Sequence, residues 1–217
     1  LDRVIAAYGN EAIYAGSYGW ASAGRFHHAP GQLHRFLNVL GGYTKSVNTY
    51  SFAAAEVIVP HVIGHFRNYI YNQTSWTSVR DHCQLFVAFG GVALKNGQIG
   101  QGGLGRHIQK ESILEAHKNG VEFVSVSPLR SDMIDDVDAA WLSIRPNSDA
   151  ALMIGLCHVL FDEGLHDRAF LDRYCVGFEQ FADYLTGASD GIVKDAAWAG
   201  AICAMDAEAI KTLARRM

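Results

Sequence analysis

Two apolar runs of strand length decide what this chain can fold into. Residues 84–89, Gln-Leu-Phe-Val-Ala-Phe, and residues 121–126, Val-Glu-Phe-Val-Ser-Val, flank a stretch of helical periodicity closed by Asn119-Gly120. A near-continuous apolar strand has to be covered on both faces, as in a parallel sheet, and strand–helix–strand order with a right-handed crossover joins parallel neighbours. The spacing predicts a helix from Leu104 to Lys118, a third strand from Ala140 to Ile144, and a further helix from Ala150 to Phe161. Asn147, Ser148 or Asp149 can cap that last helix. The expected class is α/β, a parallel sheet with flanking helices.

The first third of the chain is mixed. Ile13 to Ser17 reads as a short strand, and Pro30 to Leu40 as a helix with Leu33, Phe36, Leu37 and Leu40 on one face and Gly41-Gly42 as its stop. A boundary near Pro60 to Gly64 separates a partial α/β domain, 1–59, from the sheet-bearing domain, 60–217. Residues 1–8 and 207–217 both read as helix, the first without an initiating Met and the second without a cap, so an internal fragment of a larger protein is expected.

Charge and motif content exclude several classes. The 217 residues carry a formal net charge of −4 and no basic stripe, which argues against a nucleic-acid partner, and no long uncharged apolar run suits a membrane-spanning segment. Cys83, Cys157, Cys175 and Cys203 lie far apart, which rules out a local zinc or iron–sulfur motif and leaves buried free thiols as the expectation. The histidines lack His-Glu-x-x-His spacing, and neither Gly-x-Ser-x-Gly nor a Walker loop occurs. The glycine-rich stretch Gly100 to Gly105 stands too far beyond its strand for a dinucleotide fingerprint and reads as a surface or entrance loop.

A ligand of such a sheet belongs at the carboxyl ends of the strands, where helix N-termini gather. Three loops lie there: Gly90 to Gly97 with Lys95 and Asn96, then Ser127-Pro128-Leu129-Arg130, then Arg145-Pro146-Asn147-Ser148-Asp149. Each alone is compatible with ordinary caps and solvated charges. Together they suit a nucleotide, with cations and helix N-termini for phosphate and a carboxylate for base N–H groups.

Upstream, Gly16-Ser17-Tyr18-Gly19-Trp20-Ala21-Ser22-Ala23-Gly24-Arg25-Phe26-His27 places two large side chains with polar tips, Tyr18 and Trp20, at i, i+2 in a Gly-rich turn. They serve either as packed anchors or as positioned hydrogen-bond donors. Asn48-Thr49-Tyr50-Ser51 before Phe52-Ala53-Ala54-Ala55 is either an ordinary helix start capped by Thr49 or Ser51, or a turn presenting Ser51 as an oxygen ligand.

The order of these motifs resembles one family. Ser-Tyr-Gly-Trp-x-Ser-x-Gly-Arg-x-His, a helix, Gly-Gly-Tyr and Tyr-Ser-x-x-Ala-Ala are similar to the molybdopterin-dependent S- and N-oxide reductases, which act on dimethyl sulfoxide, trimethylamine N-oxide and biotin sulfoxide. The likeness continues through Pro60-His61-Val62-Ile63-Gly64, Gln73-Thr74-Ser75-Trp76, Ser127 to Arg130, Arg145 to Met153 and Tyr184 to Gly191.

The resemblance implies a bacterial molybdenum oxidoreductase of anaerobic respiration, periplasmic or cytoplasmic, that removes oxygen from a small S-oxide or N-oxide at a bis(molybdopterin guanine dinucleotide) centre. The remaining domains of the enzyme and an electron-donor protein are its implied partners. It implies a Rossmann-like domain over 60–217 and, over 1–59, part of a second α/β domain carrying the metal ligand. It assigns Ser51 to molybdenum, Tyr18 and Trp20 to hydrogen bonds on the substrate oxygen, and Ser17, Gly19, Ala21 and Ser22 to the surrounding loop. Lys95 and Asn96 match the pterin or phosphate loop, Ser127, Pro128 and Arg130 the ribose and phosphate loop, and Pro146, Asn147, Ser148 and Asp149 the guanine loop.

The chain departs from the family pattern in Gly90-Gly91-Val92-Ala93 before Lys95, in Asn48-Thr49 where several relatives have Gly-Asp, and in Ala21. Two other readings are a nicotinamide-dependent dehydrogenase domain, disfavoured because the second strand ends in Ser127-Pro128 without an acid, and a non-catalytic nucleotide-binding module.

Overall fold

Backbone proximity divides the chain into two units, Leu1–Ser75 with Lys95–Ile108, and Trp76–Leu94 with Gln109–Met217. The computed structural model describes residues 1–217 apart from Tyr18, Tyr50, Gln101 and Gly102. In chain order the elements begin with α1 (Asp2–Tyr8), β1 (Tyr14–Ala15), α2 (Ala29–Val39), β2 (Thr44–Lys45), α3 (Ala53–Val62) and α4 (Phe66–Tyr71). Next come α5 (Trp76–His82), β3 (Leu85–Phe89), β4 (Ile99–Gly100), β5 (Gly103–Leu104), α6 (Gln109–Lys118), β6 (Glu122–Val126) and β7 (Ala140–Leu142). The last are α7 (Asp149–Asp162), α8 (Arg168–Tyr174), α9 (Phe178–Leu185), α10 (Ala196–Cys203) and α11 (Ala207–Arg216).

The second unit is the α/β layer structure that the two apolar strands demand. β3, β6 and β7 form a parallel sheet in the order β3-β6-β7, with Phe86 opposite Phe123 and Val126 opposite Leu142. Successive side chains leave opposite faces of a strand. Val124 and Val126 pack with Leu152 and Leu156 of α7, Ala199 of α10 and Ile210 and Leu213 of α11. Phe123 faces the other way, onto Ala88, Ile113, Ala116, Met133 and Val137. Complete burial of a Leu or Ile side chain contributes about 1.5–3 kcal/mol, so these two clusters hold the unit together. α7 and α10 meet at Gly155, where a Cβ would lie 2.5 Å from the Ala199 Cβ.

Two elements are shorter than their sequence patterns. β7 ends at Leu142 rather than Ile144, because the chain leaves the sheet and the Arg145 N–H bonds the carbonyl of Cys203, the last residue of α10, at 2.8 Å. α6 begins at Gln109 rather than Leu104, because Ile99 pairs antiparallel with Leu104 and His107 has φ 51°, outside helical space.

In the first unit β1 and β2 pair in parallel, Tyr14 opposite Thr44, so the strand expected over 13–17 is reduced to two residues. The Asn10 side-chain amide donates to the Leu40 and Gly42 carbonyls, both at 3.0 Å, and fixes the chain around Gly41 and Gly42, whose positive φ values of 107° and 110° favour glycine. α2 starts at Ala29, with the His28 Nδ1 accepting the Gly31 N–H at 3.0 Å. Pro60 lies inside α3, which runs on to Val62. Residues 60–75 and 95–108, grouped by the sequence with the sheet-bearing domain, fall by proximity in this first unit. Leu37 is its one buried hydrophobic side chain among the described residues.

All four cysteines are free, but only Cys203 is fully buried and Cys175 is exposed, which corrects the expectation of buried thiols. Among the described residues no helix is long and apolar enough to cross a membrane.

Candidate functional site

Turn chemistry in the first unit builds one wall. Gly19 approaches the start of α2 so closely that a Cβ there would lie 2.8 Å from the Ala29 Cβ. Ser22 holds that turn: its hydroxyl donates to the Gly19 carbonyl and accepts the Ala29 N–H at 3.0 Å. Ala21 follows in the same turn with no polar side chain to offer. The turn carries Trp20, half exposed, whose indole N–H has no protein acceptor among the described residues.

The opposite wall comes from the entry to α3. Asn48 adopts φ 61°, and the Thr49 hydroxyl accepts the Phe52 N–H at 3.3 Å. Ser51 lies between these and the first turn of the helix. These two walls enclose a cavity of about 820 Å³ that includes Ser17, Trp20, Ser51, Glu56, Arg67 and Tyr71. Ser17, Trp20 and Ser51 all line this cavity. Tyr18 and Tyr50 lie outside the described residues.

The cavity also contains a group that the sequence reading missed. Oε2 of Glu56 is sealed from solvent and has no hydrogen-bond partner among the described residues. Its signal was available: Glu56 is the one charged residue in the run Phe52 to Pro60, where every other residue is apolar.

In the second unit, parallel pairing of β6 and β7 brings the segments after them to the same sheet edge. Ser127, wholly buried, donates through its hydroxyl to Asp132 Oδ2 at 2.6 Å and accepts the Leu129 N–H at 3.2 Å. Its carbonyl accepts the Trp141 indole N–H at 2.9 Å. The loop after β3 locks onto the same segment: the Val92 N–H bonds the Asp132 carbonyl at 2.6 Å, and a Cβ on Gly91, φ 75°, would sit 2.5 Å from that carbonyl oxygen. Pro128 and Arg130 are exposed.

Arg130 lines a second cavity of about 520 Å³ with Ser125, Ser131, Asp135, Asp138 and Trp141. The Ser125 hydroxyl is buried with no partner among the described residues. Pro146, Asn147, Ser148 and Asp149 do not line this cavity and form the next loop of the edge. The Ser148 hydroxyl donates back to the Arg145 carbonyl at 2.6 Å instead of capping α7, and Asn147 is left-handed at φ 65°. Asp149 opens α7 half-buried, with no hydrogen bond or ion pair from its carboxylate among the described residues. Lys95 and Asn96 are exposed on a 3₁₀ turn, Leu94–Gly97, in the segment that belongs to the first unit.

Among the described residues no cluster of three or more His, Cys, Asp or Glu side chains could cage a metal. Within the first unit the cavity at Ser51 has room for an organic group, and within the second the buried Ser125 hydroxyl has no partner among the described residues.

Comparison with known proteins identifies the family. The chain is 44% identical over 214 residues to the biotin sulfoxide reductase of Cereibacter sphaeroides, a match covering 99% of this chain and 29% of that protein. It is 40% identical over 215 residues to a dimethyl sulfoxide/trimethylamine N-oxide reductase of the same organism, covering 99% of this chain and 26% of that one. The chain thus spans less than a third of the length of these relatives. Acetylene hydratase from Pelobacter acetylenicus shares the fold, with a TM-score of 0.55 at 22% identity over 98% of this chain and 26% of that one. The family model for molybdopterin oxidoreductases matches residues 1–210, and the chain belongs to that family.

Proposed function

We propose that this chain is part of an enzyme that reduces an S-oxide or N-oxide, with the metal ligand within 1–59 and the nucleotide arm of the cofactor held within 60–217. Family membership implies a molybdenum–molybdopterin cofactor, and our reading is the bis(molybdopterin guanine dinucleotide) form. When bound, that group supplies the two-electron chemistry of oxygen removal. The observation that supports this most is the shared cavity of Ser17, Trp20 and Ser51, residues brought together from two separate turns.

In this reading Ser51 offers a hard oxygen ligand to the metal. Trp20, through its indole N–H, and Tyr18, through its phenol, donate to the substrate oxygen as negative charge develops there. Donors held in advance of that charge need no reorganisation. Gly19, Ala21 and Ser22 keep the turn in place. At the sheet edge Arg130 offers a cation to phosphate, and Ser127 and Pro128 shape the loop around the ribose. Pro146, Asn147 and Ser148 shape the next loop, where the Asp149 carboxylate accepts from guanine N–H groups beside the α7 N-terminus. Lys95 and Asn96 take the pterin or phosphate end. An electron-donor protein supplies the reducing equivalents. The dehydrogenase reading lacks the acid it needs at the end of β6, where Ser127-Pro128 follows.

The test is analysis of the full-length protein purified from molybdate-fed cells. It should contain molybdenum, release GMP on acid hydrolysis and oxidise a reduced dye when given S-oxides or N-oxides. Full-length protein that holds molybdenum yet reduces none of them would overturn the proposed activity.

A further inference from the structure

α4 has only six residues, and a helix of that length does not hold its shape in water without tertiary contacts. A ring contact supplies one. Phe66 packs on Phe52 with ring centroids 5.5 Å apart at 43°, and Phe52 directly follows Ser51 in the chain. Arg67 directly follows Phe66, so the same contact ties the turn that presents Ser51 to the turn that presents a guanidinium, and both residues line the cavity of about 820 Å³. Arg67 and Tyr71 stand four apart on α4, which places them on one helix face, and Tyr71 lines the cavity as well. Both residues are exposed, so a ligand in the cavity can reach them. Glu56, an acid in the same lining, is half-buried with Oε2 closed off from solvent, which leaves the guanidinium as the more accessible charge.

We propose that Arg67 is a specificity-determining residue, selecting S-oxide or N-oxide substrates that carry a carboxylate on an apolar body. This rests on the reading of the cavity as the substrate pocket. The planar fork of a guanidinium matches the two oxygens of a carboxylate, and such charge-assisted bonds are about twice as strong as neutral ones. The Tyr71 hydroxyl offers a further donor on the same helix face. Trp20, Phe52 and Ile70 give the lining apolar surface for the carbon chain that joins the carboxylate to the oxide. A carboxamide of the same shape makes the same apolar contacts and lacks the charge, so the site discriminates between the two through Arg67.

The test uses sulfones, which resemble S-oxides in shape and are not reduced, so binding is read without turnover. The full-length holoenzyme is titrated by calorimetry with 3-(methylsulfonyl)propanoate and with its near-isostere 3-(methylsulfonyl)propanamide. Wild-type protein should prefer the carboxylate by about tenfold or more, the effect of a paired charge. Arg67→Gln should bring the two affinities within about twofold, and Arg67→Lys, a point charge without the fork, should retain part of the preference. Equal affinities in the wild type, or no binding of the carboxylate, overturn the proposal whether or not the variants fold. A preference unchanged in Arg67→Gln overturns it as well. Arg67→Gln protein that has lost molybdenum and GMP would also overturn it and make Arg67 a contact of the cofactor. A holoenzyme that reduces no oxide yet shows the Arg67-dependent preference would overturn the proposed activity and leave the recognition site standing, whereas one that reduces oxides and binds both sulfones equally would do the reverse.

Discussion

The Thr49 hydroxyl accepts the Phe52 N–H at 3.3 Å at the entry to α3, two residues before Ser51, which lines the cavity. The two hydroxyls can thus be separated by experiment. Thr49→Ala should cost about 0.5–1.5 kcal/mol of stability, the net effect of a lost hydrogen bond. Ser51→Ala should lose most turnover and change the molybdenum X-ray absorption spectrum of the full-length enzyme. An unchanged spectrum with normal turnover in Ser51→Ala would refute the ligand assignment.

Asp149 lies in the first turn of a 14-residue helix without a hydrogen bond from its carboxylate among the described residues. If it recognises guanine, Asp149→Ala lowers the GMP released per mole of full-length protein. A purely electrostatic role at the helix end predicts only about 0.3–1 kcal/mol of lost stability with GMP at full occupancy. The nucleotide assay against the thermal melt decides between them.

Gly91→Ala tests the loop that joins the ends of β3 and β6. The residue has φ 75°, and an added Cβ would lie 2.5 Å from the Asp132 carbonyl oxygen, a backbone atom that cannot move without breaking the Val92 bond. Overpacking of this kind costs about 1–3 kcal/mol, with backbone strain in addition. Urea denaturation should show the loss. Wild-type stability in Gly91→Ala would mean that the loop has another conformation available.

Lys194 is almost fully buried, with its ammonium 2.5 Å from each carboxylate oxygen of Asp190 and 4.1 Å from the Tyr184 ring centroid. The bond from Lys194 holds the Asp190 carboxyl below its ordinary range. A carboxyl depressed on folding contributes stability that is present above its unfolded pKa and lost as pH falls through the folded value. Stability should therefore decline on acidification below the usual carboxylate range, and Asp190→Asn should lower the melting temperature at neutral pH while flattening that part of the profile. Parallel acid-side profiles for the two proteins would show that the pair contributes nothing.

The amino-acid order determined the periodic parts. Near-continuous apolar runs at 84–89 and 121–126 require cover on both faces, and this alone leads to parallel strands with helices on either side. The motif order from Ser17 to Asp149 likewise pointed to the family before any contact was known. What the sequence could not decide were the limits and the pairings, because they depend on competition between remote groups. β7 stops at Leu142, and three residues on the Arg145 N–H bonds the carbonyl of Cys203, far along the chain. Ser148 looks like a cap, yet its hydroxyl is spent on the Arg145 carbonyl. Glu56 is visible in the sequence as a lone acid among apolar residues, but only the folded cavity shows that no protein donor reaches it among the described residues. A partner supplied from elsewhere in the fold leaves no local signature, and so its presence or absence is settled by tertiary packing.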